Sequence, residues 1–309
     1  MYTVVEGMEQ DIDSWMELVK NVRYNFPGLE TENALEDHKN TVLKFMKQKR
    51  AICVKDSNEI IGVLLFSIEN NMICCLAVSS NCRRQGIGSL LLAYALEKLD
   101  RTHSITVSTF RAEDEKGTAP RALYKKYGFI EDELIEEFGY PNQKFVLYPD
   151  CKVIDIYGDD YSGFTNHCRE ASRAIIVKNE NIMLSHETKI NRWMIPGGGI
   201  EADENPRECC IREVAEETGL VVKPENCFLV MNEYYEDWKF VSYYFYCTMT
   251  GLTERKPTDG EIRAGAMPEW VGITDAIDIF SHHQDYAESD EERRGIYLRE
   301  YKALTEYMK

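Results

Sequence analysis

The sequence lacks an excess of positive charge, since its 309 residues carry 53 acidic and 36 basic side chains, a formal net charge of −17. Nucleic-acid backbones and anionic membranes are bound by clustered Lys and Arg, so we expect neither partner. There is no basic start followed by an apolar run, and the longest apolar runs, Ile60–Phe66 and Leu90–Leu96, are far shorter than the roughly 20 residues of a membrane helix. We therefore expect a soluble, cytoplasmic protein.

The sequence also lacks a CxxC motif, although it contains 10 cysteines. Four of them form the adjacent pairs Cys74-Cys75 and Cys209-Cys210, and adjacent cysteines are poorly placed to bridge one another. Without a secretion signal, a disulfide framework is not expected. Most of these cysteines are predicted to be small buried apolar residues.

The length predicts about two domains rather than one. Residues 1–150 carry a net charge of −5 and the remaining residues −12, which indicates that the two halves do different chemistry. The apolar pattern restarts after Tyr148–Cys151, where we place the boundary. Alternating strand and helix patterns predict the α/β class. The main predicted elements are one helical region over 11–49, strands at Ala51–Val54, Ile60–Ile68, Met72–Val78, Ile105–Phe110, Ala174–Val177, Ile182–Ser185, Cys227–Asn232 and Phe240–Met249, and helices at Gly86–Leu99, Pro206–Thr218 and Glu291–Met308.

The most informative stretch of the second half is a glycine-rich loop followed by a helix. Asn205 suits the N-cap, Pro206 the first helical position, and Glu208 completes the spacing of a capping box. Gly219 suits the left-handed residue that follows a last turn. These signals predict a helix over Pro206–Thr218.

Within this helix Glu213, Glu216 and Glu217 stand at i, i+3 and i+4, so one face carries three carboxylates. Like charges at this spacing are explained if a divalent cation lies among them, and Mg²⁺ prefers carboxylates, water and substrate phosphate. Arg212 is placed to orient one of the glutamates. The alternative interpretation is a solvated acidic helix face.

The complete pattern resembles the Nudix box at every fixed position. The matching residues are Gly198, Glu204, Arg212, Glu213, Val214, Glu216, Glu217, Gly219 and Leu220. The resemblance covers residues 153–309 and implies a Nudix α/β/α sandwich that hydrolyses a nucleoside diphosphate linked to another moiety.

The same resemblance implies the site residues of the second half. By this similarity Glu213, Glu216 and Glu217 bind Mg²⁺ or Mn²⁺, Gly197 contributes its carbonyl, Arg212 orients the cluster and Glu204 supports it. The family's general base differs among members, and Glu261 is a candidate against the alternative of a solvated loop acid. An aromatic-rich stretch could stack a base, or could be a strand with one buried face; its members are Tyr234, Tyr235, Trp238, Tyr244 and Tyr246.

In the first half a strand, the sequence Arg83-Arg84-Gln85-Gly86-Ile87-Gly88-Ser89 and a helix follow one another. Amide N–H groups at a glycine-rich helix start form an anion site, and arginines suit phosphate, although a purely structural helix start has the same glycines. This order resembles the acetyl-CoA pyrophosphate loop of the GNAT acetyltransferases over residues 1–149. The implied cofactor-binding residues are Leu76, Val78, Arg83, Arg84, Gln85, Gly86, Ile87, Gly88 and Ser89.

A second element of this half resembles the later GNAT helix, in which a Tyr protonates the departing CoA thiolate; the resemblance assigns that role to Tyr124. A helix tyrosine packed on its neighbours is the alternative. No general base is evident, and Glu69 is only a guess. The expected protein is bifunctional, a Mg²⁺-dependent Nudix hydrolase that also transfers acetyl from acetyl-CoA to an amine. The competing hypothesis is a Nudix hydrolase whose first half only binds acyl-CoA and regulates.

Overall fold

The protein is described from a computed structural model that covers residues 2–57, 59–202 and 204–309. The chain forms two compact units, Met1–Pro149 and Asp150–Lys309. No helix in the described ranges is both long and apolar enough to cross a membrane.

The N-terminal unit is a seven-stranded mixed sheet with helices on both faces, in the strand order β1-β2-β3-β4-β5-β7-β6. Its elements are β1 (Val4–Glu6), α1 (Ile12–Val22), α2 (Glu32–Lys47), β2 (Ala51–Asp56), β3 (Glu59–Ser67), β4 (Met72–Val78), α3 (Ile87–Lys98), β5 (Ile105–Phe110), α4 (Thr118–Lys126), β6 (Ile130–Glu137) and β7 (Tyr140–Leu147).

Two cores cover the two faces of this sheet, which explains the continuous apolar runs of β2 and β3. Leu64 and Phe66 pack beneath α3, whereas Val63 and Leu65 pack beneath α1 and α2. Successive strand residues point to opposite faces, so a strand covered on both sides is apolar throughout.

The C-terminal unit is an eight-stranded mixed sheet whose main order is β11-β10-β9-β14-β13-β8, with β12 paired to β9 and β15 to β10. Its elements are β8 (Lys152–Tyr157), β9 (His167–Lys178), β10 (Asn181–Glu187), β11 (Arg192–Met194), β12 (Gly197–Gly199), α5 (Pro206–Thr218), β13 (Leu220–Tyr235), β14 (Trp238–Leu252), α6 (Asp259–Ala264), β15 (Ala266–Gly272), α7 (Ile273–Ser281) and α8 (Glu291–Tyr307).

Helices α5 and α8 lie on opposite faces of this sheet. The Ser172 hydroxyl of β9 donates to the Pro206 carbonyl of α5 over 2.6 Å. The Tyr244 hydroxyl of β14 donates to the Glu300 carboxylate of α8 over 2.9 Å. This arrangement is an α/β/α sandwich and, with the N-terminal unit, confirms the predicted α/β class.

Three predicted elements differ from the structure. The strand predicted over Ala174–Val177 begins seven residues earlier, at His167. The helical region predicted over 11–49 is divided into α1 and α2, because Pro27 and Gly28, the latter at φ +88°, interrupt it. The strand predicted over Cys227–Asn232 extends back to Leu220, and its register shifts on both sides of Pro224. A bulge admits a proline into a strand and interrupts its alternation, so the early part of β13 has no strand pattern.

Candidate active sites

The glycine strand β12 lies against β9, with Gly197 opposite Arg173 and Gly198 opposite Ser172. Gly197 has φ +143°, and a Cβ there would lie 2.0 Å from the Ser172 carbonyl oxygen. A Cβ at Gly198 would lie 2.5 Å from both carboxylate oxygens of Glu213. Side chains at either position would therefore separate the strand from its neighbours, and only glycine brings the backbone this close to the carboxylate.

Helix α5 begins and ends where its sequence predicts. The Asn205 side chain accepts hydrogen bonds from the N–H groups of Arg207 and Glu208, and Glu208 accepts from the Asn205 N–H over 2.9 Å. Gly219, at φ +72°, follows the last turn. These caps fix the helix beside β12, so the three glutamates project from a rigid element.

The Arg212 guanidinium connects the glycine strand to the carboxylates. It donates to the Gly199 carbonyl over 3.0 Å, to Glu213 over 2.8 Å and to Glu216 over 3.2 Å. It also forms two hydrogen bonds with the Glu204 carboxylate, one of them 3.0 Å long. Burial opposes ionisation of Glu204, but the Arg212 hydrogen bonds and one from the Glu201 N–H prevail, so the pKa of Glu204 is lowered.

Glu217 has much weaker compensation for its charge. Its carboxylate accepts a hydrogen bond from the Gly197 N–H over 3.3 Å. Burial, followed by the charges of Glu261 and Glu213, raises the pKa of Glu217 to about 8. Burial is also the first cause of the raised pKa of Glu213, against the opposing effect of Arg212. Packed carboxylates of this kind are suited to a divalent cation, which would supply the missing positive charge.

The donor set fits Mg²⁺ or Mn²⁺ as an open site. In the ranges that the structure describes, no three acidic, cysteine or histidine side chains are arranged so as to hold a metal by themselves. Mg²⁺ commonly keeps several waters and binds through one or two carboxylates plus substrate phosphates. The three glutamates and the Gly197 carbonyl, which the sequence analysis predicts as metal ligands, would be the oxygen donors of such a site.

In the N-terminal unit a turn with two left-handed residues links β4 to α3. Arg84 has φ +61° and Gly86 has φ +81°. Residues 83–86 are exposed, and α3 begins at Ile87. The first N–H groups of a helix have no partner within it, so this turn presents N–H donors beside two arginines. The geometry is that of an anion site.

Strands β4 and β5 separate immediately after they meet. The one register pair between them is Met72 with Thr106. On its other side β5 pairs along its whole length with β7. Leu76 and Val78 of β4 lie beyond the separation and are partly buried. A gap beside a strand can accept an extended ligand through backbone hydrogen bonds, as in strand addition.

Comparison with known families gives two matches. Residues 47–131 match the model of the acetyltransferase (GNAT) domain, and residues 169–292 match the model of the NUDIX domain. The chain joins a GNAT domain to a Nudix domain. These assignments agree with the anion site of the first unit and the carboxylate helix of the second.

Among curated proteins, the Nudix domain is similar to the mouse diphosphoinositol polyphosphate phosphohydrolase 3-alpha, with 34% identity over 107 residues, 35% of this chain and 63% of that protein. Among solved structures, the GNAT domain is similar to a GNAT-family acetyltransferase from Bacillus cereus, with 24% identity, a TM-score of 0.38, and coverage of 48% of this chain and 97% of that one. An ADP-ribose pyrophosphatase from Streptococcus suis has 19% identity, a TM-score of 0.28, and coverage of 34% and 75%.

The structure places the other predicted residues of the GNAT domain. Tyr124 is buried, with ring centroids 5.7 Å from Phe129 and 6.1 Å from Phe145, and burial followed by the nearby Cys75 raises the pKa of Tyr124. Ile87 is buried too, so only its backbone can face a ligand. Glu69 is bound by Arg50 at the end of β4 remote from the glycine turn. No pattern in the sequence identifies Cys75 as a neighbour of Tyr124.

In the Nudix domain Glu261 has two sets of neighbours. Its carboxylate accepts hydrogen bonds from the Thr258 N–H over 2.6 Å and from the Thr258 hydroxyl over 2.9 Å, which caps α6. Its charge also raises the pKa values of Glu213 and Glu217, so it lies near the box carboxylates. Glu261 stays a candidate base with a structural role of its own.

The aromatic stretch is divided by the strand alternation. Tyr244 is fully buried in the core, and Tyr246 stacks on Phe228 at 4.3 Å. Tyr234 stacks on Tyr157 at 4.7 Å, while Trp238 keeps 38% exposure beside His167. The sequence missed Tyr157 and His167 because both precede the predicted strands of this domain.

Proposed function

We propose that the Nudix domain is a Mg²⁺-dependent pyrophosphohydrolase that cleaves the pyrophosphate bond of a nucleoside diphosphate derivative. The observation that carries this proposal is the packing of Glu213 and Glu217 against the glycine strand, together with Glu216 on the same helix face. When bound, the metal supplies neutralisation of the phosphate charge and a lower pKa for an attacking water.

The protein's own groups then have separate tasks. Glu213, Glu216 and Glu217 hold the metal, with the Gly197 carbonyl as a further donor. Arg212 keeps Glu213 and Glu216 oriented and ties them to the Gly199 carbonyl. A carboxylate of the box, or Glu261 beside it, takes a proton from the attacking water. Arg212 is a positioning residue, and its loss is expected to reduce metal affinity or activity by about 10- to 100-fold.

A substrate panel tests this proposal on the full chain with MgCl₂. It contains ADP-ribose, nucleotide sugars, dinucleoside polyphosphates, 8-oxo-dGTP, NADH, CoA and a diphosphoinositol polyphosphate. The last compound is included because the curated relatives are named as phosphohydrolases of that class. Hydrolysis of a nucleoside diphosphate derivative supports the proposal, and product identification locates the bond. If the diphosphoinositol polyphosphate is the only compound hydrolysed, the proposal that the substrate is a nucleoside diphosphate derivative is wrong.

We propose further that the GNAT domain binds acetyl-CoA and transfers its acetyl group to an amine. The separation of β4 from β5 beside the exposed glycine turn carries this proposal. N–H groups of Gln85, Gly86, Ile87, Gly88 and Ser89 and the side chains of Arg83 and Arg84 would bind the pyrophosphate. The backbones of Leu76 and Val78 would align the pantetheine arm.

In the transfer step the amine nitrogen forms a bond to the acetyl carbonyl carbon, and the carbon–sulfur bond breaks. The Tyr124 hydroxyl would give its proton to the departing thiolate, the amine nitrogen would lose a proton to water, and the tyrosinate would regain a proton from water. A tyrosine is protonated at neutral pH, so Tyr124 carries the proton that this step needs. Burial raises the pKa of Tyr124, which makes it a weaker acid than an exposed tyrosine. Thiol release from acetyl-CoA with a panel of amines tests transfer, and calorimetry with CoA tests binding.

The competing proposal is a domain that binds acyl-CoA without turnover and regulates hydrolysis. The observation that favours it is the engagement of Glu69 by Arg50, which leaves the predicted base occupied. Binding of CoA without thiol release, together with a change in the hydrolysis rate, would support regulation. Thiol release that depends on an amine would exclude it.

A further inference from the structure

We propose that Arg169, His167 and Trp238 form the surface that recognises the nucleoside part of the substrate. The Arg169 guanidinium would bind a phosphate, and the His167–Trp238 ring pair would stack on the base. This inference rests on the proposed hydrolase function, and it names the residues that choose a nucleoside rather than an inositol.

The sheet register places these side chains on one face. His167 and Arg169 are two residues apart on β9, so they project to the same side. Their register partners on β14 are Trp238 and Phe240. The rings of His167 and Trp238 are 4.7 Å apart at 28°, and those of Trp238 and Phe240 are 5.6 Å apart at 14°. The result is a row of nearly parallel rings in which Trp238 is 38% exposed.

Arg169 connects this aromatic row to the catalytic strand. Its guanidinium nitrogens lie 3.4 and 3.6 Å from the position that a Cβ would take at Gly199. The side chain is exposed, and within the described residues it makes no hydrogen bond or ion pair. Arg212, in contrast, is fully engaged with the box carboxylates. Arg169 is therefore an arginine beside the glycine strand that is available to an anionic ligand.

The spacing along β9 fits an extended nucleotide. Gly199 lies opposite Ala171, four residues from His167, which is about 13 Å along a strand. Arg169 is midway between them. A diphosphate at the glycine strand would thus place a phosphate near Arg169 and a base near the ring row. Gly198 faces the Glu213 carboxylate, and the next residue, Gly199, faces Arg169 on the other side of the sheet. A ligand at the glycine strand would therefore meet the carboxylates on one side and the cation and the ring row on the other.

The same face is poorly suited to a highly phosphorylated inositol. A saturated ring offers no π surface for stacking. The Asp237 carboxylate lies 3.8 Å from the His167 ring. It would therefore repel the additional phosphates of an inositol ligand at the His167 end of this surface. Charge and ring chemistry both favour a base at this position.

Ligand binding by the full chain with its proposed metal ligands intact tests this surface. ADP and inorganic pyrophosphate are titrated calorimetrically in MgCl₂ as their methylene-bridged analogues, in which a P–C–P bridge that is not hydrolysed replaces the P–O–P bridge. Trp238→Ala should weaken ADP binding about tenfold and leave pyrophosphate unchanged, because only ADP has a base to stack. Arg169→Ala should weaken both ligands about tenfold, with partial rescue by Arg169→Lys.

Two control variants match these changes in size and charge. Tyr157→Ala removes an exposed ring from the opposite face of the sheet, and Lys178→Ala removes an exposed cation from the other end of β9. Neither should change the affinity for ADP. Equal loss of ADP and pyrophosphate in Trp238→Ala, or unchanged binding in both Arg169 variants, would overturn the proposal. Failure of the proposed hydrolase function has a different outcome from failure of this surface. If the hydrolase function is wrong, the wild-type protein does not hydrolyse the diphosphate panel. The ADP and pyrophosphate titrations test the surface in either case.

Discussion

The phosphate sites that we propose for the two units use a similar local element with opposite electrostatics. Each unit has glycines close to a helix, at its start in the GNAT domain and beside the carboxylates of its second half in the Nudix domain. In the GNAT domain this turn carries Arg83 and Arg84 and presents N–H groups, so it can bind an anion directly. In the Nudix domain the helix beside the glycines carries Glu213, Glu216 and Glu217, which repel phosphate until a cation lies between them.

This difference explains part of the uneven charge of the chain. The second half is more acidic, with a net charge of −12 against −5 for residues 1–150. An acidic protein can still bind nucleotides, because a divalent cation reverses the local sign. Net charge is therefore an argument against binding to a nucleic-acid backbone, and it says little about small phosphorylated ligands.

The sharpest test of the comparison is Glu217→Gln, which removes a metal ligand and preserves shape. We expect hydrolysis to fall about a thousandfold, as loss of several kcal/mol of transition-state stabilisation requires. CoA binding should stay unchanged. Steady-state kinetics with Glu254→Gln, an exposed acid of the same unit, provide the control. Near-normal rates in Glu217→Gln would contradict the carboxylate assignment.

Tyr124→Phe tests whether the GNAT domain is catalytic. The substitution keeps the packing on Phe129 and Phe145 and removes the proton donor. Thiol release should fall about a hundredfold, the lower range for a general acid, with CoA affinity unchanged. Tyr94→Phe on α3 is the matched control. An unchanged rate of thiol release would show that another group, or water, protonates the thiolate.

The double substitution Arg83→Ala and Arg84→Ala tests the direct anion site. CoA affinity should fall about tenfold at low salt, because charged hydrogen bonds to phosphate are lost. The difference from wild type should shrink as salt rises, since these side chains are exposed and screened. Calorimetry measures the CoA affinity and its dependence on salt. Arg101→Ala is the control for the loss of a positive charge elsewhere in the unit. Hydrolysis by the Nudix domain should not change, and a parallel loss of hydrolysis would contradict separate sites.

The smallest expected effect is stabilisation by metal. Mg²⁺ at about five times its dissociation constant should raise the free energy of unfolding of the metal-binding unit by about 1 kcal/mol. A thermal melt of the full chain measures this gain, which should be reduced in Glu217→Gln. The reason is that the metal offsets carboxylate charge that the protein compensates only partly. Equal gains in both proteins would place the metal elsewhere.

Local signals in the sequence predict the elements around both sites closely. Helix α5 has its predicted bounds because its capping box and terminal glycine act within a few residues of the chain. Helix α3 begins one residue after Gly86 for the same reason. The pairing of strands is harder to predict from the sequence, because it depends on segments that are far apart in the chain. The bulges of β13 and the separation of β4 from β5 have no local signal.

The two families, the capped carboxylate helix and the glycine turn with its arginines can be predicted from the sequence alone. Their residues have fixed spacing within short segments, and this spacing sets both the local conformation and the chemistry. The burial of Tyr244, the exposure of Trp238 beside His167 and the position of Arg169 beside Gly199 are found only in the folded chain. These outcomes follow from strand register, and register is set by hydrogen bonds and packing between segments far apart in the chain.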